Sequence, residues 1–106
     1  MREIKFRAWD KNEKIMIPAD EFYFSYEMMQ YTGLKDKNGK EIYEGDILKI
    51  KIETMSQEWQ EIVKYKSGYF TGVMRETMDG CQQENIENME VIGNIYENPE
   101  LIKPNV

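Results

Sequence analysis

Apolar and polar residues alternate in short runs along much of this chain, and period two is the signature of a strand with one buried face. Within residues 3–9, Ile4, Phe6 and Ala8 fall on one side and Lys5, Arg7 and Trp9 on the other. Polar residues 10–13 suit a turn. Ile15, Met16 and Ile17 then read as a short return strand that Pro18 should end. Phe22, Phe24, Tyr26 and Met28 alternate as well, which argues for a strand over 25–31, although Ala19-Asp20-Glu21 and Met28-Met29 also tolerate a helix. Residues 32–40 are dense in turn formers, and Asn38-Gly39 is the strongest short-range hairpin signal, because both residues tolerate positive φ. Glu44-Gly45-Asp46 marks a second turn, in which Asp46 is expected to bond the backbone at the start of the next strand.

The clearest strand is 47–52, with Leu48, Ile50 and Ile52 on one side and Ile47, Lys49 and Lys51 on the other. Residues 58–65 predict another, with Trp59, Glu61 and Val63 sharing a side. Ser67-Gly68 turns the chain into a return strand over 69–74, where Gly72 suggests a bulge. Asp79-Gly80 breaks the pattern, and 81–88 reads as irregular with one short helical turn. Residues 89–96 form the last strand. Asn98-Pro99 ends it and opens a terminal turn of helix, and residues 104–106 are expected to fray. Short strands at close spacing between Gly and Asn turns predict a mainly β single domain over 1–106, a small barrel or sandwich.

At 106 residues and 41% hydrophobic, the chain can bury a core without disulfides or metal. Its single cysteine, Cys81, favours a reducing, cytoplasmic setting. Charged residues follow Met1 at once, and no apolar run approaches the length of a signal or membrane segment, so export and membrane insertion are not expected. The net charge of −6 is lopsided: residues 1–51 hold ten basic and ten acidic side chains, and the whole excess of acid lies in 52–106. Nucleic-acid binding draws on cationic surface, so this balance disfavours it.

Candidate chemistry thins quickly. Five residues lie between Gly33 and Gly39 and Glu41 follows Lys40, which does not fit a phosphate-binding P-loop. Counted from Asp36, positions six and twelve of a calcium loop would be Glu41 and Ile47, which fits no better. With no histidine and one cysteine, the usual zinc sites and histidine-assisted nucleophiles lack their residue types. Glu41, Glu44 and Asp46 gather near one turn. They are better read as turn and strand-start residues than as a magnesium-dependent hydrolase. No cofactor or metal is expected.

Three blocks carry a family resemblance. The first is Lys5-Phe6-Arg7-Ala8-Trp9-Asp10 within residues 1–10. The second, within 29–47, contains Tyr31-Thr32-Gly33-Leu34-Lys35-Asp36-Lys37-Asn38-Gly39 and Tyr43-Glu44-Gly45-Asp46. The third is Gly93-Asn94-Ile95-Tyr96-Glu97-Asn98-Pro99 within 90–101. Their order and spacing resemble the YopX-like family of phage and prophage proteins. That resemblance implies an SH3-type barrel core, with an added N-terminal hairpin and irregular segments, and an origin in a virus of bacteria. It implies no biochemical activity and transfers no catalytic residue.

The functional expectation is therefore a non-enzymatic protein-interaction module, in the host cytoplasm, that pairs with a protein partner or with itself. Arg7, Trp9, Tyr31 and Tyr43 are its candidate surface, as exposed aromatics beside an arginine often mark interfaces. The alternative is a single-stranded nucleic-acid-binding barrel that uses Trp9, Tyr31, Tyr43, Lys49 and Lys51.

Overall fold

The structure, a computed structural model, describes residues 4–19, 26–66, 68–77 and 80–102. In chain order the strands are β1 (Phe6–Asp10), β2 (Ile15–Ala19), β3 (Glu27–Lys35), β4 (Glu41–Tyr43), β5 (Asp46–Ile52), β6 (Gln57–Ile62), β7 (Tyr65–Lys66), β8 (Tyr69–Phe70), β9 (Met74–Thr77), β10 (Gly80–Gln83) and β11 (Met89–Asn94). Short 3₁₀ turns occupy Glu53–Met55, Ile86–Asn88 and Pro99–Leu101. The fold is mainly β, as the alternation predicts, and its antiparallel sheets curl into a half-barrel.

One sheet runs β2-β1-β3-β4 and a second runs β11-β5-β6; β7-β8 and β9-β10 are two-stranded ribbons. The core is built on β5. Leu48 and Ile50 are fully buried with Ile42, Val63, Val73, Phe70 and Met89, and Leu34, Trp59, Met74 and Val91 pack around them. Each such aliphatic side chain, once removed from water, contributes roughly 1.5–3 kcal/mol. Ile47 points away from Leu48 yet is only 1% exposed, so β5 is enclosed on both faces at its start.

Several boundaries differ from the sequence reading, each for a local reason. Pro18 does not end β2, which runs on to Ala19; β2 is an edge strand, where a missing N–H costs no ladder bond. Nor does β3 stop at Tyr31. Gly33, at φ +90°, takes up a register shift between Tyr31 and Lys35, and pairing resumes at Lys35 opposite Glu41. The strand expected over 58–65 ends at Ile62, although Val63 still bonds the start of β5, its N–H donating to the Asp46 carbonyl at 2.9 Å and its carbonyl accepting the Gly45 N–H at 2.8 Å. The strand expected over 69–74 is divided. Gly72, at φ +86°, makes a turn between β8 and β9 rather than a bulge. Residues 81–83, expected to be irregular, continue from Gly80 as a strand paired with β9. The last strand stops at Asn94 rather than Tyr96, since the Asn94 side chain accepts the Tyr96 and Glu97 N–H groups and folds the chain into a turn.

Other readings hold. Gly39 lies at φ +81° in the β3–β4 connection, Asn85 caps the short turn before β11, and Pro99 opens the terminal one. Phe22, Phe24, Ser67, Asp79 and residues 104–106, for which the sequence also carries expectations, lie outside the described residues.

Candidate functional site

The face of β1 carrying Lys5, Arg7 and Trp9 meets β3, β4 and the β4–β5 turn. Gly45, at φ +85°, makes that turn tight, and a side chain there would press within 3.1 Å of the Met29 sulfur. The turn delivers Asp46 to the tip of Arg7, whose Nη2 donates to Asp46 Oδ1 at 2.7 Å and to the Glu44 carbonyl at 3.2 Å. The Tyr43 N–H donates to Asp46 Oδ2 at 2.8 Å, so Asp46 bonds the backbone before its strand as the sequence predicts.

Aromatic rings fill the space between these charges. The Arg7 guanidinium lies 4.7 Å from the Tyr43 ring centroid, and Lys5 Nζ lies 5.4 Å from that of Tyr31. The two tyrosine rings are 5.3 Å apart. Lys5 Nζ also donates to Glu41 Oε2 at 2.6 Å, and the Tyr43 hydroxyl donates to Glu41 Oε1 at 3.3 Å. Trp9 stands apart and stacks on Tyr96 with centroids 5.5 Å apart.

Arg7, Tyr31 and Tyr43 are thus brought together, but not on an exposed surface. Trp9, Tyr31 and Tyr43 are 8, 4 and 9% exposed, and the Arg7 side chain 13%. The expectation of exposed aromatics fails because Tyr43, the β4–β5 turn and Tyr96 close over this face of β1. What stays open is the rim. A cleft of about 580 Å³ is lined by Lys5, Glu41 and Tyr43 on a polar side and by Ile4, Phe6, Pro18 and Ala19 on an apolar one. Ile4 is 74% exposed beside it. Lys5 and Ile4 were not among the candidate residues; the available signal was that Lys5 shares a strand face with Arg7.

Burial pushes the Asp46 carboxyl above its ordinary value, against the pull of Arg7 and the Tyr43 N–H. Glu41 moves the other way, held low chiefly by its hydrogen bond from Lys5. The Tyr43 hydroxyl is raised by burial and then by the Glu41 charge. Arg7 Nε is buried and has no hydrogen-bond partner among the described residues, and the π face of Tyr43 beside the guanidinium partly compensates it.

The remaining candidates are committed to the fold. Glu44 Oε1 accepts the Gln30 N–H at 2.9 Å. Lys49 pairs with Glu58 and Lys51 with Glu53. Asp36 organises the β3–β4 loop: its Oδ1 accepts the Asn38 and Lys40 N–H groups, and its Oδ2 reaches the Val91 N–H on β11 at 2.8 Å.

These contacts tie the three sequence blocks to one another. Arg7–Asp46 joins the first to the second. Asp36–Val91, together with the Ile95 N–H donating to the Gly45 carbonyl, joins the second to the third. Trp9–Tyr96 joins the first to the third. The family profile described as YopX protein matches residues 24–103. The chain belongs to the YopX family. The crystal structure of protein EF1440 from Enterococcus faecalis is similar throughout: 31% identical, with a TM-score of 0.71, over 97% of this chain and 100% of that one. No curated protein matches. In this YopX family member, the residues that carry the resemblance are largely those that staple the sheets together.

Proposed function

We propose that this chain is a phage- or prophage-encoded protein-interaction module that works in the bacterial cytoplasm and carries out no catalysis. The observation that carries the reading is the cleft at the end of β1. It opposes an apolar wall of Ile4, Phe6, Pro18 and Ala19 to the Lys5–Glu41 pair and the Tyr43 hydroxyl. Such a cleft suits an apolar side chain of a protein partner, with a neighbouring backbone amide bonded to Glu41. The fold's other striking side chains, Arg7, Asp36 and Asp46, are engaged in holding it together, which supports a scaffold more than a reaction centre. The sequence blocks imply the origin. Among the described residues no helix is long and apolar enough to cross a membrane.

The nucleic-acid alternative gains nothing from the geometry. Trp9, Tyr31 and Tyr43 are buried, and Lys49 and Lys51 face glutamates. The test is quantitative affinity capture from host cells with the wild-type chain and with Ile4→Asp and Phe6→Asp, each first checked for cooperative unfolding. The expected result is a protein captured by the wild type and depleted at least about tenfold by either folded variant, as loss of a central contact costs more than 1 kcal/mol. Equal capture by all three would refute the reading.

A further inference from the structure

We propose that the outer edge of β6 is a docking site for an extended segment of a partner protein, laid antiparallel and reading acidic, then apolar, then basic. The edges of this molecule are not treated alike. β2 carries Pro18, which presents no N–H. β11 is covered by the β3–β4 loop, since the Lys37 N–H donates to the Met89 carbonyl and Asp36 takes the Val91 N–H. β6 ends its sheet, and only beyond residue 61 does the chain cover it, where Thr71 Oγ1 bonds the Ile62 carbonyl and the Lys64 N–H. Among the described residues nothing pairs with the outer side of 57–61. An uncovered edge of this kind is a template for a further strand.

A groove of about 800 Å³ runs beside that edge and states the chemistry of the occupant. Glu58, which also pairs with Lys49, and Glu61 stand toward one end and Lys64 and Lys66 toward the other, while Ile62 and Ile102 supply the open apolar surface above a buried Ile47. A strand running antiparallel to β6 begins opposite the lysines and finishes opposite Glu58. Charge complementarity therefore asks for acidic residues first and basic residues last, with apolar side chains over the isoleucines in the middle. A second copy of this chain is the poorer occupant. In a two-fold pairing, Glu58 and Glu61 of each copy come within opposite or diagonal reach of one another, between chains of net charge −6. This surface is separate from the cleft at β1, so either can fail without the other.

The probe is a blocked eight-residue peptide with two glutamates, alternating valine and threonine, and two lysines; its control has the charged ends exchanged. Titration followed by backbone amide shifts and hydrogen exchange should localise the first peptide to residues 57–61. Affinity should exceed that of the control by about tenfold, the factor that two exposed ion pairs approach. Gln60→Pro should abolish protection, Glu58→Lys should erase the preference between the two peptides, and Ile4→Asp should change nothing. Equal affinities, protection elsewhere in the chain, or a dimer in sedimentation that Gln60→Pro dissolves would each overturn the proposal.

Discussion

Asp36 shows how one side chain can look like a ligand and act as a joint. It is 5% exposed and its oxygens accept three backbone N–H groups from two separate parts of the chain. Burial alone would raise its pKa, but the Val91, Lys40 and Asn38 N–H groups outweigh this and hold it below its ordinary value. A carboxyl held low stabilises the fold above its unfolded-state value near 3.8 and loses that contribution as pH falls through the lower folded-state value. Asp36→Asn should cost about 1–3 kcal/mol at neutral pH, because an amide turns a donor toward backbone donors. It should also flatten the loss of stability on acidification. Urea midpoints between pH 2.5 and 7 measure both effects, and an unchanged midpoint at pH 7 would contradict the assignment. Asn38-Gly39 makes the turn legible in sequence, but the bond from Asp36 to Val91, 55 positions away, leaves no local mark.

At the level of elements, β5 is the member on which the others depend. It is paired by β11 on one side and by β6 on the other, and its inward side chains reach zero exposure. Leu48→Ala should destabilise by about 2–5 kcal/mol through lost burial and a residual cavity. Lys51→Ala, on the exposed face and with the Glu53 pair as its one ion pair among the described residues, should stay within about 0.5 kcal/mol. Thermal or chemical denaturation of the two variants compares them directly, and similar costs would show the core to lie elsewhere. This strand is plain in the sequence because its alternation is strong and β-branched. The β8–β9 region is not, because one glycine at positive φ decides between a bulge and a turn, and the local sequence carries no sign of which. β10 reads as polar and irregular because its pairing with β9, rather than any apolar stripe, makes it a strand.

For the molecule as a whole, the decisive contacts join distant parts of the chain. Arg7 and Asp46 are 39 positions apart and form a buried pair in which removal of one partner strands the other. Arg7→Ala should cost about 3–5 kcal/mol at neutral pH, the usual penalty for an uncompensated buried charge. Burial already raises the Asp46 carboxyl, and loss of Arg7 raises it further, so the deficit should shrink as pH falls and the carboxyl becomes neutral. Asp46→Asn in the same background should restore part of the loss at pH 7. A penalty independent of pH would reject the pairing as its cause. The mainly β class and the candidate cluster of Arg7, Tyr31 and Tyr43 were legible in the sequence, whereas the burial of that cluster was not. Alternation shows which side chains share a face of β1, but not that other strands cover that face. The position of β5 between β6 and β11 bears on how the protein is made. A ribosome releases β5 some forty residues before its second neighbour, so during synthesis Leu48 and Ile50 lack the cover that Met89 provides. A chain at that stage exposes apolar strand surface of the kind that chaperones bind, until Met89 has emerged to close it.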